Sequence, residues 1–185
     1  MENELLGVLR HVLRVLEKRE LRYALIGGIA NQIWGQARFT YDIDIKVFVP
    51  DTNYRDVRET LISAFPESGR PELPMNPLIV SVKIHTVIVD FLLTTPGYEE
   101  QIVTRAVPSN IADVPVWVCS AEDLIIQKAL ANREKDWQDI EGVVIEQQSR
   151  LDRHYIEDWL TQFADILEKP EILNRYKAFC QSLCG

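Results

Sequence analysis

The chain has 185 residues, of which 46% are hydrophobic, so it is long enough to bury a substantial core. Its net charge of −8 argues against broad, non-specific nucleic-acid binding, which relies on a basic surface. No apolar run approaches the roughly 20 residues that cross a bilayer, and the acidic first four residues lack the basic region of a signal peptide. Three cysteines form no paired framework. These features predict a cytoplasmic protein with no membrane association.

The first 119 residues alternate between helical and strand patterns. Apolar residues at helical spacing predict a helix over residues 4–19, and a short apolar run predicts a strand over 23–26 that enters a glycine turn. Further patterns predict helices over 29–34 and 54–65, strands over 43–49, 78–84, 87–93 and 114–118, and a proline-rich loop over 66–77. Because the last of these strands contains Pro115, it is predicted to lie at an edge of the sheet.

The character of the sequence changes after residue 119. Ser120 and Asp123 form a helix start of the capping-box type, with Asp in place of the usual Glu or Gln. Helical periodicity then continues to the end of the chain. The sequence therefore predicts an α+β fold. A small mixed β-sheet flanked by helices occupies residues 1–119, and a helical part over 120–185 packs on this core.

Three aspartates on two predicted strands point to a metal site. Asp42 and Asp44 are two residues apart, so their side chains face the same side of a strand, about 6.6 Å apart along it. Without a cation the two carboxylates repel each other, so bound Mg²⁺ explains the pair best. Asp90 interrupts an otherwise apolar strand, where a lone carboxylate is costly unless it is paired or metal-bound. If the strands are neighbours, the three carboxylates converge and can hold two divalent ions roughly 4 Å apart.

A double glycine lies upstream of these aspartates. Gly27 and Gly28 follow a predicted strand and precede a predicted helix, where backbone N–H groups can cradle a phosphate. Taken alone, an Asp-x-Asp pair usually marks a solvated strand end, and a double glycine usually marks an ordinary turn. The glycine turn together with three aspartates favours the functional interpretation.

Gly27 and Gly28 are followed, after thirteen residues, by Asp42 and Asp44. This pattern resembles the signature of the polymerase-β-type nucleotidyltransferase superfamily. Residues 25–31 and 38–44 resemble the branch that includes the AbiEii-like toxin nucleotidyltransferases and related small bacterial proteins, and the resemblance spans residues 23–139. It implies a small mixed sheet flanked by helices, two Mg²⁺ ions and an NTP donor.

The resemblance also implies roles for individual residues. Asp42, Asp44 and Asp90 would be the metal ligands, and Asp90 is a candidate base for the acceptor hydroxyl. Gly27 and Gly28 would face the triphosphate. Many superfamily members have Gly-Ser at this place, so a serine contact to phosphate is lost here and the backbone N–H groups would bind the phosphate.

Further substrate-binding residues are predicted around this motif. Arg38 and Thr40 lie just upstream of the carboxylates, and Arg38 is expected to hold a phosphate bidentately. The alternative for Arg38 is a surface arginine paired with an acid. Lys128 and Asp136 resemble the family's later motifs, in which a helical lysine reaches the donor's phosphates and an Asp supports the site. The alternative for both is a solvated helix surface.

The sequence therefore predicts a Mg²⁺-dependent enzyme that moves a nucleoside monophosphate from an NTP to an acceptor hydroxyl. Toxin-like relatives suggest tRNA or a protein as the acceptor, and other small members of the superfamily modify small molecules such as antibiotics. One alternative is a non-catalytic nucleotide-binding module. Another is a partner-binding module of a toxin–antitoxin-type pair, with a cognate protein as its partner.

Overall fold

The computed structural model describes residues 2–36, 38–66 and 76–184. The chain forms two compact units. The sheet unit comprises Met1–Ile29 and Phe39–Cys119, and the helical unit comprises Ala30–Arg38 and Ser120–Gly185. The division predicted from the sequence, 1–119 and 120–185, differs from these units in the segment Ala30–Arg38 and stays a prediction.

The elements alternate up to residue 118 and are helical beyond it. In chain order they are α1 (Glu2–Lys18), β1 (Tyr23–Leu25), α2 (Gly27–Trp34), β2 (Asp42–Val47), α3 (Tyr54–Ala64), β3 (Ile79–Ile84), β4 (Val87–Leu93), α4 (Tyr98–Thr104), β5 (Val107–Ile111) and β6 (Val114–Val118). The remaining helices are α5 (Ala121–Ala131), α6 (Glu134–Gln147), α7 (Arg153–Ile166) and α8 (Pro170–Cys184). Two short 3-10 helices cover Pro50–Thr52 and Gln148–Arg150.

The strands of the described residues form one six-stranded sheet in the order β3-β4-β2-β1-β6-β5. β2 pairs with β4 in parallel and with β1 antiparallel, so the sheet is mixed. The predicted α+β class, with a mixed sheet and flanking helices, is confirmed. The two strands that carry the aspartates are neighbours near the middle of the sheet.

Alternation of apolar and polar residues gives the sheet one buried face. Ile43, Ile45 and Val47 of β2 are fully buried, and Val89 and Phe91 of β4 are buried beside them. These side chains point away from the face that carries the aspartates, because successive strand residues alternate. The buried face fixes the register of β2 and β4, since a slip of one residue would expose all of these side chains.

The prediction that residues 114–118 form an edge strand is wrong. β6 lies between β1 and β5, and the described edge strand on that side is β5, which the sequence did not predict. β6 tolerates Pro115 because three-residue β1 pairs with β6 only at Leu25 and Val118. The Pro115 end of β6 therefore has no β1 residue opposite it. Most of the loop predicted over 66–77 lies outside the described residues.

The helical unit begins with the predicted cap. The Ser120 hydroxyl oxygen accepts a hydrogen bond from the backbone N–H of Asp123 at 3.1 Å, and the same hydroxyl donates to the Asp123 carboxylate at 2.9 Å. Leu124, Ile125 and Ile126 of α5 are buried. Among the described helices of the whole chain, none is both long and apolar enough to cross a membrane.

Candidate active site

The carboxylate face is the polar face of β2 and its neighbours. Asp42 is exposed and Asp44 half-buried, and the two alternate with the buried residues Ile43 and Ile45. Asp42 is the first residue of β2, so the pair stands at the strand's start, where the chain enters the sheet. The two carboxylates therefore share one face at its solvent-accessible end.

Asp90 lies directly beside Asp44. In the parallel pairing of β2 and β4, Asp44 and Asp90 are register partners, so both side chains leave the same face of strands roughly 4.8 Å apart. Ser81 of β3 is in turn the register partner of Asp90, and its hydroxyl donates a short hydrogen bond to the Asp90 carboxylate. The strand adjacency on which the three-carboxylate prediction depended is thus present.

The glycine turn lies against Asp44. Helix α2 starts at Gly27, two residues earlier than predicted, so the glycines form its first turn. Gly27 has a φ of +61°, and a Cβ added there would lie 2.1 Å from Oδ2 of Asp44. The backbone N–H of Ile26 also donates to the Asp44 carbonyl oxygen at 3.0 Å. Only glycine combines this backbone conformation with such a close approach of a carboxylate.

Thr40 occupies the space beside Gly28. A Cβ added at Gly28 would lie 2.4 Å from the Thr40 hydroxyl oxygen. The same hydroxyl donates to Oδ1 of Asp42 at 2.6 Å. Thr40 therefore puts a hydroxyl group where a side chain at position 28 would stand, and it orients one of the three carboxylates.

The donor atoms of this face suit a hard divalent cation, because Mg²⁺ prefers carboxylate oxygens and keeps several water ligands of its own. The Asp44 side chain occupies the space that a side chain at position 27 would fill, so the glycine lets this carboxylate approach the turn. In the part of the chain that the structure describes, however, no three acidic, thiol or imidazole side chains are already grouped as metal ligands. The carboxylates of Asp42 and Asp90 instead accept hydrogen bonds from Thr40 and Ser81. Metal binding by all three carboxylates would require Asp42 and Asp90 to exchange these hydroxyl partners for the cation.

Lys128 belongs to a buried ion cluster within the helical unit. Its side chain is 8% exposed, and its ammonium lies 2.5 Å from Oδ2 of Asp139 and 3.6 Å from Oδ1 of Asp136. Arg38 donates two hydrogen bonds to the same Asp139, one to each carboxylate oxygen, both at 2.9 Å. Asp139 therefore links helices α5 and α6 to the segment that ends at Arg38.

The two cations on Asp139 keep its carboxylate ionised. The pKa of Asp139 is lowered overall. Burial, the largest single influence, raises it, but hydrogen bonds from Arg38 and Lys128 and their positive charges outweigh burial. Asp136 is buried and is held by Arg133, whose Nε lies 2.5 Å from its carboxylate. With three cations and two carboxylates the cluster has a net positive charge.

The structure groups the predicted site residues unit by unit. In the sheet unit it brings together Gly27, Gly28, Thr40, Asp42, Asp44 and Asp90. In the helical unit it brings together Arg38, Lys128 and Asp136. Their roles toward a substrate stay predictions.

Two residues of these groups were not assigned to the site from the sequence. Ser81 interrupts an apolar strand as Asp90 does, and this interruption is the signal that could have identified it. Asp139 lies 101 residues from Arg38, and no local sequence pattern indicates that the two side chains pair.

Comparison with known families decides the class of the protein. The family described as "Nucleotidyltransferase of unknown function (DUF6036)" matches residues 3–181. The chain belongs to this nucleotidyltransferase family. No curated protein matches the nucleotidyltransferase by sequence.

Solved structures share its fold at low sequence identity. The antibiotic-resistance factor ANT(2'')-Ia is 18% identical with a TM-score of 0.66, over 95% of this nucleotidyltransferase and 100% of that chain. A second structure of ANT(2'')-Ia, in complex with adenylyl-2''-tobramycin, is 15% identical with a TM-score of 0.60, over 94% and 99%. The lincosamide antibiotic adenylyltransferase LnuA, bound to lincomycin, is 15% identical with a TM-score of 0.55, over 77% and 96%. These likenesses establish the fold.

Proposed function

We propose that the protein transfers a nucleoside monophosphate from an NTP to an acceptor hydroxyl with the help of Mg²⁺. The observation that carries this proposal is the register pairing of Asp44 with Asp90, with Asp42 on the same face of the sheet. Three carboxylates on one face repel one another, and a bound cation is the simplest compensation. Family membership supports the reaction class.

Asp42, Asp44 and Asp90 are the proposed metal ligands. When bound, Mg²⁺ would offset the negative charge of the carboxylates and of the triphosphate. The hydroxyls of Thr40 and Ser81 hold Asp42 and Asp90 until then.

The donor's phosphates are the proposed ligands of the glycine turn. The backbone N–H groups of Gly27 and Gly28 stand at the first turn of α2, where the helix dipole favours negative charge. Lys128 and Arg38 are further proposed phosphate contacts, with Asp136 holding Lys128 in place. Support for this role is the excess of positive charge in their cluster and the 41% exposure of the Arg38 side chain.

Asp90 is the proposed base. The acceptor oxygen forms a bond to the α-phosphorus as the bond to the pyrophosphate oxygen breaks, and Asp90 takes the hydroxyl proton. Before the substrates bind, the Ser81 hydroxyl orients the Asp90 carboxylate through its hydrogen bond. The contribution of the protein is then mainly positioning and electrostatics.

A small molecule with a planar or apolar portion is the proposed acceptor. Ile88 is the register partner of Asp42 and is 37% exposed, and Phe39 and Tyr41, just before Asp42, are 83% and 68% exposed. Such side chains suit flat or apolar ligand surfaces. The net charge of −8 disfavours a large RNA acceptor. Transfer to tRNA or to a protein, as in the AbiEii-like toxins that the sequence resembles, is the competing proposal.

The test is a transfer assay on the purified full chain. Each α-labelled NTP is incubated with Mg²⁺ and, separately, tobramycin, lincomycin, total tRNA, or the protein alone. We expect label on a small-molecule acceptor and loss of transfer by at least about 100-fold in Asp44→Asn. Asp165→Asn, which makes the same chemical change at an exposed position of α7, serves as the matched control and should keep full activity.

Two results would contradict the proposal. Equal transfer by Asp44→Asn and the unchanged protein would exclude the carboxylate face as the active site. Mg²⁺-dependent NTP binding without transfer to any acceptor would favour the binding-only alternative. The hydroxyl-bonded state of Asp42 and Asp90 is the observation that supports that alternative.

A further inference from the structure

β2 places a buried cation on the carboxylate face. Asp42, Asp44 and Lys46 follow one another at alternate positions of the strand, so all three leave the same face. Lys46 is 5% exposed, which is rare for a lysine unless its charge is paired. Its Cα is about 6.6 Å from that of Asp44, a distance that the four-carbon side chain can span.

Glu99 binds the ammonium of this lysine. The Lys46 ammonium donates to Oε1 of Glu99 at 2.6 Å. The other oxygen of Glu99, Oε2, accepts from the backbone N–H of Thr95 at 2.7 Å and from the Thr95 hydroxyl at 2.9 Å. Both oxygens of Glu99 are therefore used, and its carboxylate is fixed between the start of α4 and the segment that follows β4.

The charge state of Glu99 agrees with this geometry. Burial alone raises the pKa of Glu99, but the Lys46 charge and the hydrogen bonds from Lys46 and Thr95 lower it overall. Glu99 is thus a carboxylate at neutral pH, able to retain the ammonium. A lysine released from this pair would find Asp44 and Asp90 as the nearest acidic side chains on its own face of the sheet.

We propose that Glu99 is a positioning residue that restrains Lys46, so that the carboxylate face stays available to a divalent cation. The inference rests on the proposed function, since it presumes that the face binds Mg²⁺. Two cations cannot occupy the same carboxylates without repulsion, so a freed Lys46 ammonium competes with the metal. Glu99 acts without touching metal or substrate.

The test is a calorimetric titration of the full chain with Mg²⁺ in the presence of a non-hydrolysable NTP analogue, which measures the apparent Mg²⁺ affinity. Glu99→Gln should weaken the apparent Mg²⁺ affinity roughly tenfold, the size expected for one added positive charge nearby. The double variant Glu99→Gln with Lys46→Met should restore affinity to within about twofold of the unchanged protein, because the competing charge is gone. Glu59→Gln, which breaks the exposed pair of Glu59 with Arg55, is the matched control and should leave the affinity unchanged.

Each outcome separates the restraint from a purely structural role. Equal weakening in the single and double Glu99 variants would mean that Glu99 acts through the fold alone, and unchanged affinity in Glu99→Gln would also overturn the inference. Saturable binding must first be seen in the unchanged protein. Its absence would overturn the proposed function together with the inference.

A milder variant covers the case in which Glu99→Gln does not fold. Thr95→Val removes one hydroxyl donor to Glu99 and keeps the backbone bond, so it should weaken Mg²⁺ binding by about two- to threefold. Adding Lys46→Met to it should reverse the effect. Failure of that reversal would contradict the restraint.

Discussion

Gly27 shows how a single missing side chain shapes the candidate site. Its φ of +61° and the 2.1 Å separation between an added Cβ and Oδ2 of Asp44 leave no room for a larger residue. Gly27→Ala should therefore push the Asp44 carboxylate aside and lower transfer by about 100-fold, because misplacement by about 1 Å has effects of this size. The measurement is the initial transfer rate beside the melting temperature.

Gly97 supplies the matched control for this substitution. It has a φ of +97°, yet a Cβ added there meets nothing within 4 Å. Gly97→Ala thus introduces backbone strain of about 1–2 kcal/mol without a clash at a carboxylate. If both alanine variants lost activity to the same extent, strain rather than displacement of Asp44 would be the cause.

Residues could be predicted from the sequence where they break a local pattern. Asp90 was identified because it interrupts an apolar strand, and Asp42 with Asp44 because of their spacing. Asp139 was expected to orient a neighbouring side chain, but its pairing with Lys128 and the pairing of Lys46 with Glu99 could not be predicted. A lysine–carboxylate contact across 11 or 53 residues leaves no periodic pattern in the sequence. Long-range pairing is a property of the folded backbone.

At the scale of elements, Asp139 on α6 connects three segments of the helical unit. It accepts from Lys128 of α5, from Arg38, and from the Asn31 side-chain amide at 3.3 Å. Asp139→Asn would leave the Lys128 ammonium buried with a weaker partner, and we expect the free energy of unfolding to fall by about 3 kcal/mol. Chemical denaturation measures this loss.

The exposed pair of Glu134 with Arg175 is the control for Asp139. The side chains of that pair are 82% and 43% exposed, so Glu134→Gln should change the free energy of unfolding by less than about 1 kcal/mol. A similar decrease in the free energy of unfolding in both variants would contradict the larger stabilising contribution that is assigned to the buried cluster.

The same cluster gives the helical unit a defined acid sensitivity. The pKa of Asp139 in the folded chain lies below its ordinary value of 3.8. Its stabilising contribution is therefore complete above that value and is lost as the pH falls through the lowered pKa. We expect the unfolding free energy to decrease below about pH 4 less steeply in Asp139→Asn than in the unchanged protein. Parallel pH profiles for the two proteins would refute this assignment.

Helices and strands with strong periodicity were predicted well from the sequence. The order of the strands in the sheet was not predicted. The helix starting at Ser120 and the strand of Val87–Leu93 are confirmed. The predicted edge position of β6 was wrong, because Pro115 indicates only that hydrogen bonding to one neighbouring strand is interrupted at that residue. Whether the strand then lies at an edge depends on β5, a strand with little local signal.

At the scale of the whole molecule, ligand binding should raise the free energy of unfolding and the melting temperature of the protein. A ligand that binds only the folded chain stabilises it by about 2.7 kcal/mol at 100 times its dissociation constant. For a chain of this size that corresponds to a rise in melting temperature of roughly 5–10 °C. We expect this rise when Mg²⁺ and an NTP analogue are added together, and not in Asp44→Asn. A shift of equal size in that variant would place the nucleotide away from the carboxylate face.

The resemblance to nucleotidyltransferases, which the double glycine and the paired aspartates carry, implied both the class of the protein and the mixed sheet, and both are found. The grouping of Ala30–Arg38 with the C-terminal helices could not. That segment joins the helical unit through side-chain contacts such as Arg38 with Asp139, which no local pattern encodes.

Gly28 and Thr40 compete for one volume, and this competition constrains how the site can evolve. A Cβ at position 28 would meet the Thr40 hydroxyl at 2.4 Å, so the two positions cannot both carry their larger side chains. Among relatives, serine or alanine at position 28 should coincide with glycine at position 40, because any Cβ at position 40 would lie 2.8 Å from the one added at position 28. Threonine at 40 should coincide with glycine at 28. A lineage that exchanges one arrangement for the other must shorten residue 40 before it enlarges residue 28, because the reverse order passes through a clash beside Asp42.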